Sequence, residues 1–367
     1  MNYTKLFRVK PGSKVNLGKV DPDFTAEHRK KNKAARKLEK LDRKLRDLQY
    51  LIYSEGERSL LICLQALDGA GKDGTINHVL GSMNPQGTRV HGFKAPTKEE
   101  REHDFLWRIQ QQVPKPGEVV IFNRSQYEDV LVVRVHNLVP KEVWAKRYGQ
   151  INRFERQLAA GGTKILKFFL HISPEEQLER FKLRLDDPAR HWKISENDYA
   201  EREFWDDYTQ AYEEALSKTS TPYAPWFIIP SNNKWFRNLA VAKIVAETME
   251  GMGMKLPAPK VDIEAIRQKY HEAEEEEIAK VGKKKWKKLL AKELNQARKL
   301  KRAARKGVPA KTPNHETVPA QEETRAEPVQ LPAAAPTAKP DPAPLSDTTE
   351  SPARAATTTP HTTEAGF

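Results

Sequence analysis

Residues 59–75 restrict this chain more than any other stretch. Leu60 to Leu64 is a short apolar run that predicts a buried strand. It breaks into Gly69-Ala70-Gly71-Lys72-Asp73-Gly74, and a helix is predicted from Thr75 through Leu80. Strand, glycine turn, lysine and helix in that order form a phosphate-binding loop. Glycine lets the backbone curl so that successive N–H groups face one hollow. The helix start adds unpaired N–H groups and a positive dipole end. Lys72 adds a full charge for phosphate oxygens. Gly69, Gly71, Asp73, Gly74 and Thr75 are therefore phosphate- or nucleotide-binding candidates. The strict pattern G-x-x-x-x-G-K-[ST] is broken twice: Ala66 replaces the first glycine, and Asp73 replaces the metal-binding hydroxyl. Asp68, inside the loop, is then the natural ligand for Mg²⁺, which prefers carboxylate and phosphate oxygens. The bland alternative, a glycine turn that binds nothing, leaves the coincidence of glycines, lysine and strand without a reason.

The 367 residues suffice for one large domain or two small ones, and 25 prolines suggest that part of the chain never folds. No apolar run reaches membrane-spanning length, and the polar start Met1-Asn2-Tyr3-Thr4-Lys5 is no signal peptide. A cytoplasmic enzyme without membrane contact is the expectation. The single cysteine, Cys63, excludes an intrachain disulfide and reads as a small core residue. The net charge is +13; the residues from Gly307 onward carry −4, so residues 1–306 carry +17. Such a surplus favours a polyanionic partner.

Residues 1–25 have mixed character and are set apart as an N-terminal segment. A charged helix follows, from about Thr25 to Tyr53, with Leu38, Leu41, Leu45, Leu48 and Ile52 at spacings of three and four. After the glycine loop come a strand, Thr88 to Phe93, and a helix, Lys98 to Gln112. The strand Val119 to Phe122 ends in Asn123-Arg124-Ser125-Gln126-Tyr127-Glu128-Asp129. A polar cluster at the C-terminal end of a buried strand is where open α/β sheets hold ligands. Helix 141–160, strand Ile165 to Ile172 and a helix from Ser173-Pro174 to Leu185 come next. The loop Asp186 to Ile194 is rich in cations, and helix 196–217, strand Pro225 to Ile229 and helix Leu239 to Met249 complete the pattern. Strands alternating with helices predict an α/β fold, a parallel sheet covered on both faces. The catalytic domain is placed at 26–255 and a charged helical extension at 256–306. A Pro/Ala/Thr-rich tail at 307–367 is read as disordered.

Two stretches, Leu64-Gln-Ala-Leu-Asp-Gly-Ala-Gly-Lys-Asp-Gly-Thr75 and Phe122-Asn-Arg-Ser-Gln-Tyr-Glu128, resemble the family-2 polyphosphate kinases. Phe93-Lys-Ala-Pro-Thr97, Val132-Val-Arg-Val-His136, His191-Trp-Lys-Ile-Ser195 and Tyr223-Ala-Pro-Trp-Phe-Ile-Ile-Pro230 strengthen the likeness. It covers about residues 25–250, and it is nearest to the one-domain subgroup that phosphorylates AMP and ADP. The resemblance implies a P-loop kinase fold with a helical lid at about 180–200. It also implies Mg²⁺ and phosphoryl transfer between inorganic polyphosphate and AMP, ADP or ATP. It assigns Lys72, Asp68, Arg124 and Glu128 to catalysis, with Asp68 and Glu128 as metal residues. Asn123 stands where the family usually has aspartate. Arg184, Arg190, His191 and Lys193 match the lid cations that hold the phosphate chain. Dimers or dimers of dimers are implied too.

The chemistry is consistent without the resemblance. Phosphoryl transfer needs charge neutralisation and in-line positioning more than a nucleophilic side chain. Lys72, Arg124 and Lys94 are suited to screening the transferring group, and the lid cations to closing over it. Set against this, Lys94 and Arg101 also read as ordinary surface cations, and Arg124 as a carboxylate partner. His103, His136 and His171 read as structural; Trp205, Tyr208 and Tyr212 read as core rather than as a base platform. Two other functions compete. One is an ATP-dependent nucleoside monophosphate kinase, against which the missing Ser/Thr after Lys72 speaks. The other is a non-catalytic polyanion binder acting through residues 278–306, which hold thirteen lysines and arginines against one acid. That basic stretch is the only one suited to nucleic acid, and it reads either as a solvated helix or as a tether for long polyanions.

Overall fold

The computed structural model describes residues 1–28 and 31–305. The tail expected to be disordered, 307–367, lies outside the described residues. In chain order the first elements are α1 (Tyr3–Phe7), α2 (Lys31–Glu55), β1 (Ser59–Gln65), α3 (Lys72–Thr75), β2 (Thr88–Gly92), α4 (Lys98–Glu102), α5 (Trp107–Gln110), β3 (Val119–Asn123) and α6 (Val132–Val135). They are followed by α7 (Lys141–Ala160), β4 (Thr163–His171), α8 (Pro174–Leu185), α9 (Glu196–Ala200), α10 (Trp205–Thr219), β5 (Trp226–Pro230), α11 (Lys234–Glu250), α12 (Ile263–Val281) and α13 (Lys283–Arg305).

The five strands form one parallel sheet in the order β2-β3-β1-β4-β5. β1 is buried along its whole length, as a central parallel strand covered on both faces requires. Its side chains alternate between two cores. Leu60, Ile62 and Leu64 pack with Leu45 and Ile52 of α2 and Val241 and Val245 of α11. Leu61 and Cys63 face Trp144 and Ile151 of α7 and Leu216 of α10. Each fully buried Leu or Ile contributes roughly 1.5–3 kcal/mol, so the helices on the two faces bind the sheet from both sides. Cys63 is a buried free thiol whose pKa burial pushes well up, so it sits in the core as an inert residue.

Chain order and sheet order disagree in a way that makes a site. The chain leaves β1 for β2 on one side of the sheet, and β4 returns on the other side. The crevice beyond the C-terminal end of β1 is therefore a topological switch point. Leu64 is in register with Asn123, so the loop after β1 and the turn after β3 open beside each other.

Several expected helices are cut differently. The helix expected at 98–112 is two short ones, because Asp104 accepts from the Leu106 N–H at 2.9 Å and starts a new turn. The helix expected from Thr75 begins at Lys72, within the loop itself, and widens into a π-type turn over Ile76–Leu80. Helix 196–217 is interrupted by a tight turn at Glu201–Phe204. The last core helix starts at Lys234, a turn earlier than Leu239.

Residues 1–25, set apart from the sequence, are built into the same body. Tyr3 and Phe7 of α1 are buried against Phe236, with ring centroids 6.0 Å apart in each pair. The Val9 N–H donates to the Trp226 carbonyl at 2.9 Å, beside β5. Mixed composition concealed this, since the buried residues of the segment are scattered among polar neighbours. The compact body spans Met1–Ile266, and the described residues from Arg267 to Arg305 belong to a separate unit. No helix among the described residues is long and apolar enough to cross a membrane.

Candidate active site

Gly71 caps α3 with a left-handed φ of +105°, a conformation open to glycine and little else. A side chain there would also collide with Arg237, whose Nη1 lies 1.8 Å from the position a Cβ would take. The loop is shaped from behind by two buried arginines. Arg180 of α8 donates to the carbonyls of Gly69 and Ala70, each at 2.9 Å, and Arg237 of α11 donates to Ala70 at 3.0 Å. A planar trans peptide sends its N–H opposite its carbonyl. Turning the Ala70 carbonyl backward therefore turns the Gly71 N–H forward. The N–H groups of Gly71, Lys72, Asp73 and Gly74 have no backbone acceptor among the described residues. They are what a phosphate-binding hollow needs.

Arg124 sits directly after β3 with a left-handed φ of +64°, a strained position for a residue with a side chain. Its guanidinium bridges two carboxylates: Nη2 donates to Asp68 Oδ1 at 2.9 Å, and Nη1 to Glu128 Oε2 at 3.2 Å. Lys72 Nζ donates to the Ala66 carbonyl at 2.9 Å and lies 3.4 Å from Asp68 Oδ1. The catalytic candidates Lys72, Asp68, Arg124 and Glu128 thus form one connected cluster. Burial would raise the Asp68 pKa, but Lys72 and Arg124 outweigh it and hold the carboxyl below its usual range. Burial pulls the Lys72 ammonium down, and Asp68 only partly offsets this. Arg124 is raised by its two carboxylates despite burial, so it stays charged.

The two metal candidates differ. Both Glu128 oxygens are engaged, Oε1 by Gln65 at 3.1 Å and Oε2 by Arg124. Asp68 has one oxygen committed to cations and its carbonyl held by Gln177 at 2.7 Å, which leaves the other carboxylate oxygen available. Among the described residues no three His, Cys, Asp or Glu side chains gather as a ready-made cage. That donor set suits Mg²⁺, which commonly takes one or two carboxylates and completes its shell with phosphate oxygens and water.

The remaining candidates divide. Asn123 Nδ2 donates to Asp73 Oδ1 at 2.9 Å, tying the second motif to the loop. Lys193, in the stretch expected to form a lid, approaches the other Asp73 oxygen at 3.8 Å. Arg190 instead pairs with Asp187 at 2.8 Å, His191 turns to the Leu185 carbonyl, and Arg184 donates to the Lys193 carbonyl. The Thr75 hydroxyl is spent on the Gly71 carbonyl at 3.1 Å, where it braces the loop. Lys94 is exposed beyond β2; only its carbonyl is engaged, by Arg108. Among the histidines, His171 lies near the Val20 carbonyl, His103 stacks on Trp107, and His136 contacts Glu201.

The aromatic residues of α10 have a second aspect. Trp205, Tyr208 and Tyr212 contribute to the core, yet they also line the recess that holds Asp68, Arg124 and Glu128. Arg180, Arg237 and Gln177 escaped the sequence reading. Arg180 is one cation among several on the charged helix α8, and nothing local to it signals burial. Arg237 carried a usable signal: it lies in a helix apolar nearly all round, where a buried cation demands a reason.

The family model described as Polyphosphate kinase 2 matches residues 28–257, a span that contains every residue of this cluster. The chain is 51% identical over 263 residues to a Meiothermus ruber protein named AMP/ADP-polyphosphate phosphotransferase, covering 71% of this chain and 98% of that one. It is 44% identical over 270 residues to a Rhodopseudomonas palustris protein named ADP-polyphosphate phosphotransferase, covering 69% and 92%. A crystal structure of polyphosphate kinase 2 from Arthrobacter aurescens superposes with a TM-score of 0.72 at 44% identity, covering 74% of this chain and 97% of that one.

Proposed function

Because the chain belongs to the polyphosphate kinase 2 family, we propose that it moves phosphoryl groups between inorganic polyphosphate and AMP or ADP, forming ADP and ATP. The observation that carries this reading is the Asp68–Lys72–Arg124–Glu128 cluster at the switch point of the sheet, inside the matched span. The forward-facing loop N–H groups and Lys72 grip the phosphate chain. Arg124 spreads its charge over the region where the acceptor and the transferring phosphate meet. Glu128, locked by Gln65 and Arg124, orients the acceptor side. A phosphate acceptor is already nucleophilic, so no strong base is needed. Asp68 would hold Mg²⁺, which when bound supplies charge neutralisation on the phosphate oxygens.

The test is AMP with polyphosphate, Mg²⁺ and no ATP. ADP and then ATP should accumulate. Product that forms only when ATP is supplied would return the reading to an ATP-dependent monophosphate kinase. In the same assay Asp68→Asn should lower kcat about 10²-fold, and excess Mg²⁺ should restore little. The metal-induced rise in melting temperature should shrink in parallel. Wild-type behaviour at limiting Mg²⁺ would remove Asp68 from the metal site.

The lid cations separate by position. Lys193 already reaches toward Asp73, whereas Arg190 is held by Asp187. Lys193→Met should raise the KM for polyphosphate about tenfold, a loss of about 1.4 kcal/mol, with a smaller effect on the nucleotide KM. Arg190→Met should do less. Equal changes in both KM values would indicate lost packing instead of lost polyphosphate contacts.

A further inference from the structure

The helix α13 contributes no residue to the Asp68–Lys72–Arg124–Glu128 cluster. The family match ends at residue 257, and the M. ruber relative is 98% covered by 263 aligned residues, so this helix lies beyond the shared body. Its charge is concentrated on one side, with Lys283 outside that side among the described cations. At 3.6 residues per turn, Lys284, Lys285, Lys287, Lys288, Lys292 and Arg298 fall within an arc of about 160°. Glu293, the only acid of the helix, lies on the far side, as do Trp286 and Leu290. All six cations are exposed, and none has an ion pair with a described residue. Among the described residues no ion pair joins them to an acid of the preceding helix α12. Glu277 pairs with Lys280, Glu274 with His271, and Glu272 accepts from Gln268, all within α12. Lys284, Lys288 and Lys292 follow one another at intervals of four, each roughly 6 Å further along the axis.

We propose that this face of α13 is a second binding site for inorganic polyphosphate, which holds a long chain while its end is consumed in the catalytic body. The inference rests on the polyphosphate reading of that body. A row of cations without an acid fits a ligand whose every unit is an anion. The face carries no aromatic side chain among the described residues, and single-stranded nucleic acid is held largely by base stacking on aromatic platforms. A bare phosphate chain requires charge alone. Tethering would raise the local concentration of the chain at the active site with no new contact there. A chain too short to engage both sites would gain nothing.

The experiment uses the full chain with Lys284, Lys285, Lys287, Lys288 and Lys292 all changed to Gln, which keeps helix propensity close to that of lysine. A second variant changes the same five to Arg. Binding of long-chain polyphosphate is measured over a salt series, and turnover is measured on short-chain polyphosphate with ADP. The Gln variant should bind long chains at least tenfold more weakly at low salt. Its plot of log affinity against log salt should flatten by up to about 3.5–4.5, given a slope of about 0.7–0.9 per neutralised phosphate. Short-chain turnover should be unchanged in both variants, and the Arg variant should bind as wild type does. Identical affinities and salt slopes for wild type and the Gln variant would overturn the proposal. So would a single-stranded RNA that binds wild type more tightly than polyphosphate and is the ligand lost in the Gln variant. A wild-type chain that binds polyphosphate through α13 but does not turn over short chains would instead refute the catalytic reading, leaving the binding site in place.

Discussion

Lys72→Ala should lower polyphosphate-dependent ATP formation by about 10³-fold or more while the protein still folds. Lys72 Nζ lies at the mouth of the glycine loop, 3.4 Å from Asp68 and 2.9 Å from the Ala66 carbonyl. Burial depresses its pKa, so its positive charge is incompletely compensated before a ligand arrives. A phosphate oxygen entering the hollow would supply the missing partner. That contact would strengthen as charge shifts in the transition state, so the loss should appear mainly in kcat. The structural cost is small. Ala66 loses one donor, worth about 1 kcal/mol, and Asp68 keeps Arg124 at 2.9 Å. A fall of about 2–4 °C in melting temperature is the corresponding expectation for a body of this size. Lys72→Arg separates charge from geometry. It should retain phosphate binding but recover only part of the rate, because a planar fork cannot occupy the same point. Near-normal turnover of the alanine variant, with near-normal melting, would remove Lys72 from the chemistry.

What the sequence revealed and what it concealed follow from one distinction. The loop, the second motif and the alternation of strands and helices are local patterns, and they appear where they were expected. Helix 141–160 and the start of α8, with Ser173 as cap and Pro174 in the first turn, match at the residue level because caps are local signals too. Properties that depend on distant partners stayed hidden. Lys167, a cation inside an apolar strand, signalled that it needed a partner but not which one. In the fold it is fully buried, 2.6 Å from Glu155 and 2.8 Å from both the Tyr127 hydroxyl and the Thr219 carbonyl. That network braces the turn carrying Tyr127, three residues beyond Arg124, and so supports the site from the face covered by α7 and α10. Register between β1 and β3 was equally invisible, although it alone brings Asn123 to Asp73. The four lid cations looked equivalent as a cluster, but side-chain partners divide them, and only Lys193 reaches the loop.

Arg237→Met should strip the protein of much of the stabilisation that phosphate ligands provide. Arg237 is 3% exposed and has no carboxylate partner among the described residues; its donors go to the Ala70 carbonyl and to Asn238. Burial, and then the neighbouring Arg180, lower its pKa to about 9. The sign follows from linkage: a base whose folded pKa is depressed is charged at a cost to stability below that pKa, and the cost is relieved as pH rises through it. At neutral pH the ligand-free fold therefore carries an uncompensated buried charge directly behind the glycine loop. A bound phosphate chain in front of the loop would offset that charge through the low-dielectric loop backbone. The methionine variant fills similar volume without charge. Without ligand, its stability reflects two opposed changes: relief of the charge, and loss of donors to Ala70 and Asn238 at about 1–3 kcal/mol for each group left unpaired. The rise in melting temperature on adding short-chain polyphosphate is the cleaner readout, because each protein serves as its own reference. A tenfold weaker Kd removes about 1.4 kcal/mol of ligand stabilisation, or about 3–6 °C of that rise. Arg237→Lys should keep part of it. A full ligand-induced rise in the methionine variant would mean that Arg237 only props the loop, and that the charge on the phosphate chain is met from the front alone, by Lys72, Arg124 and the lid.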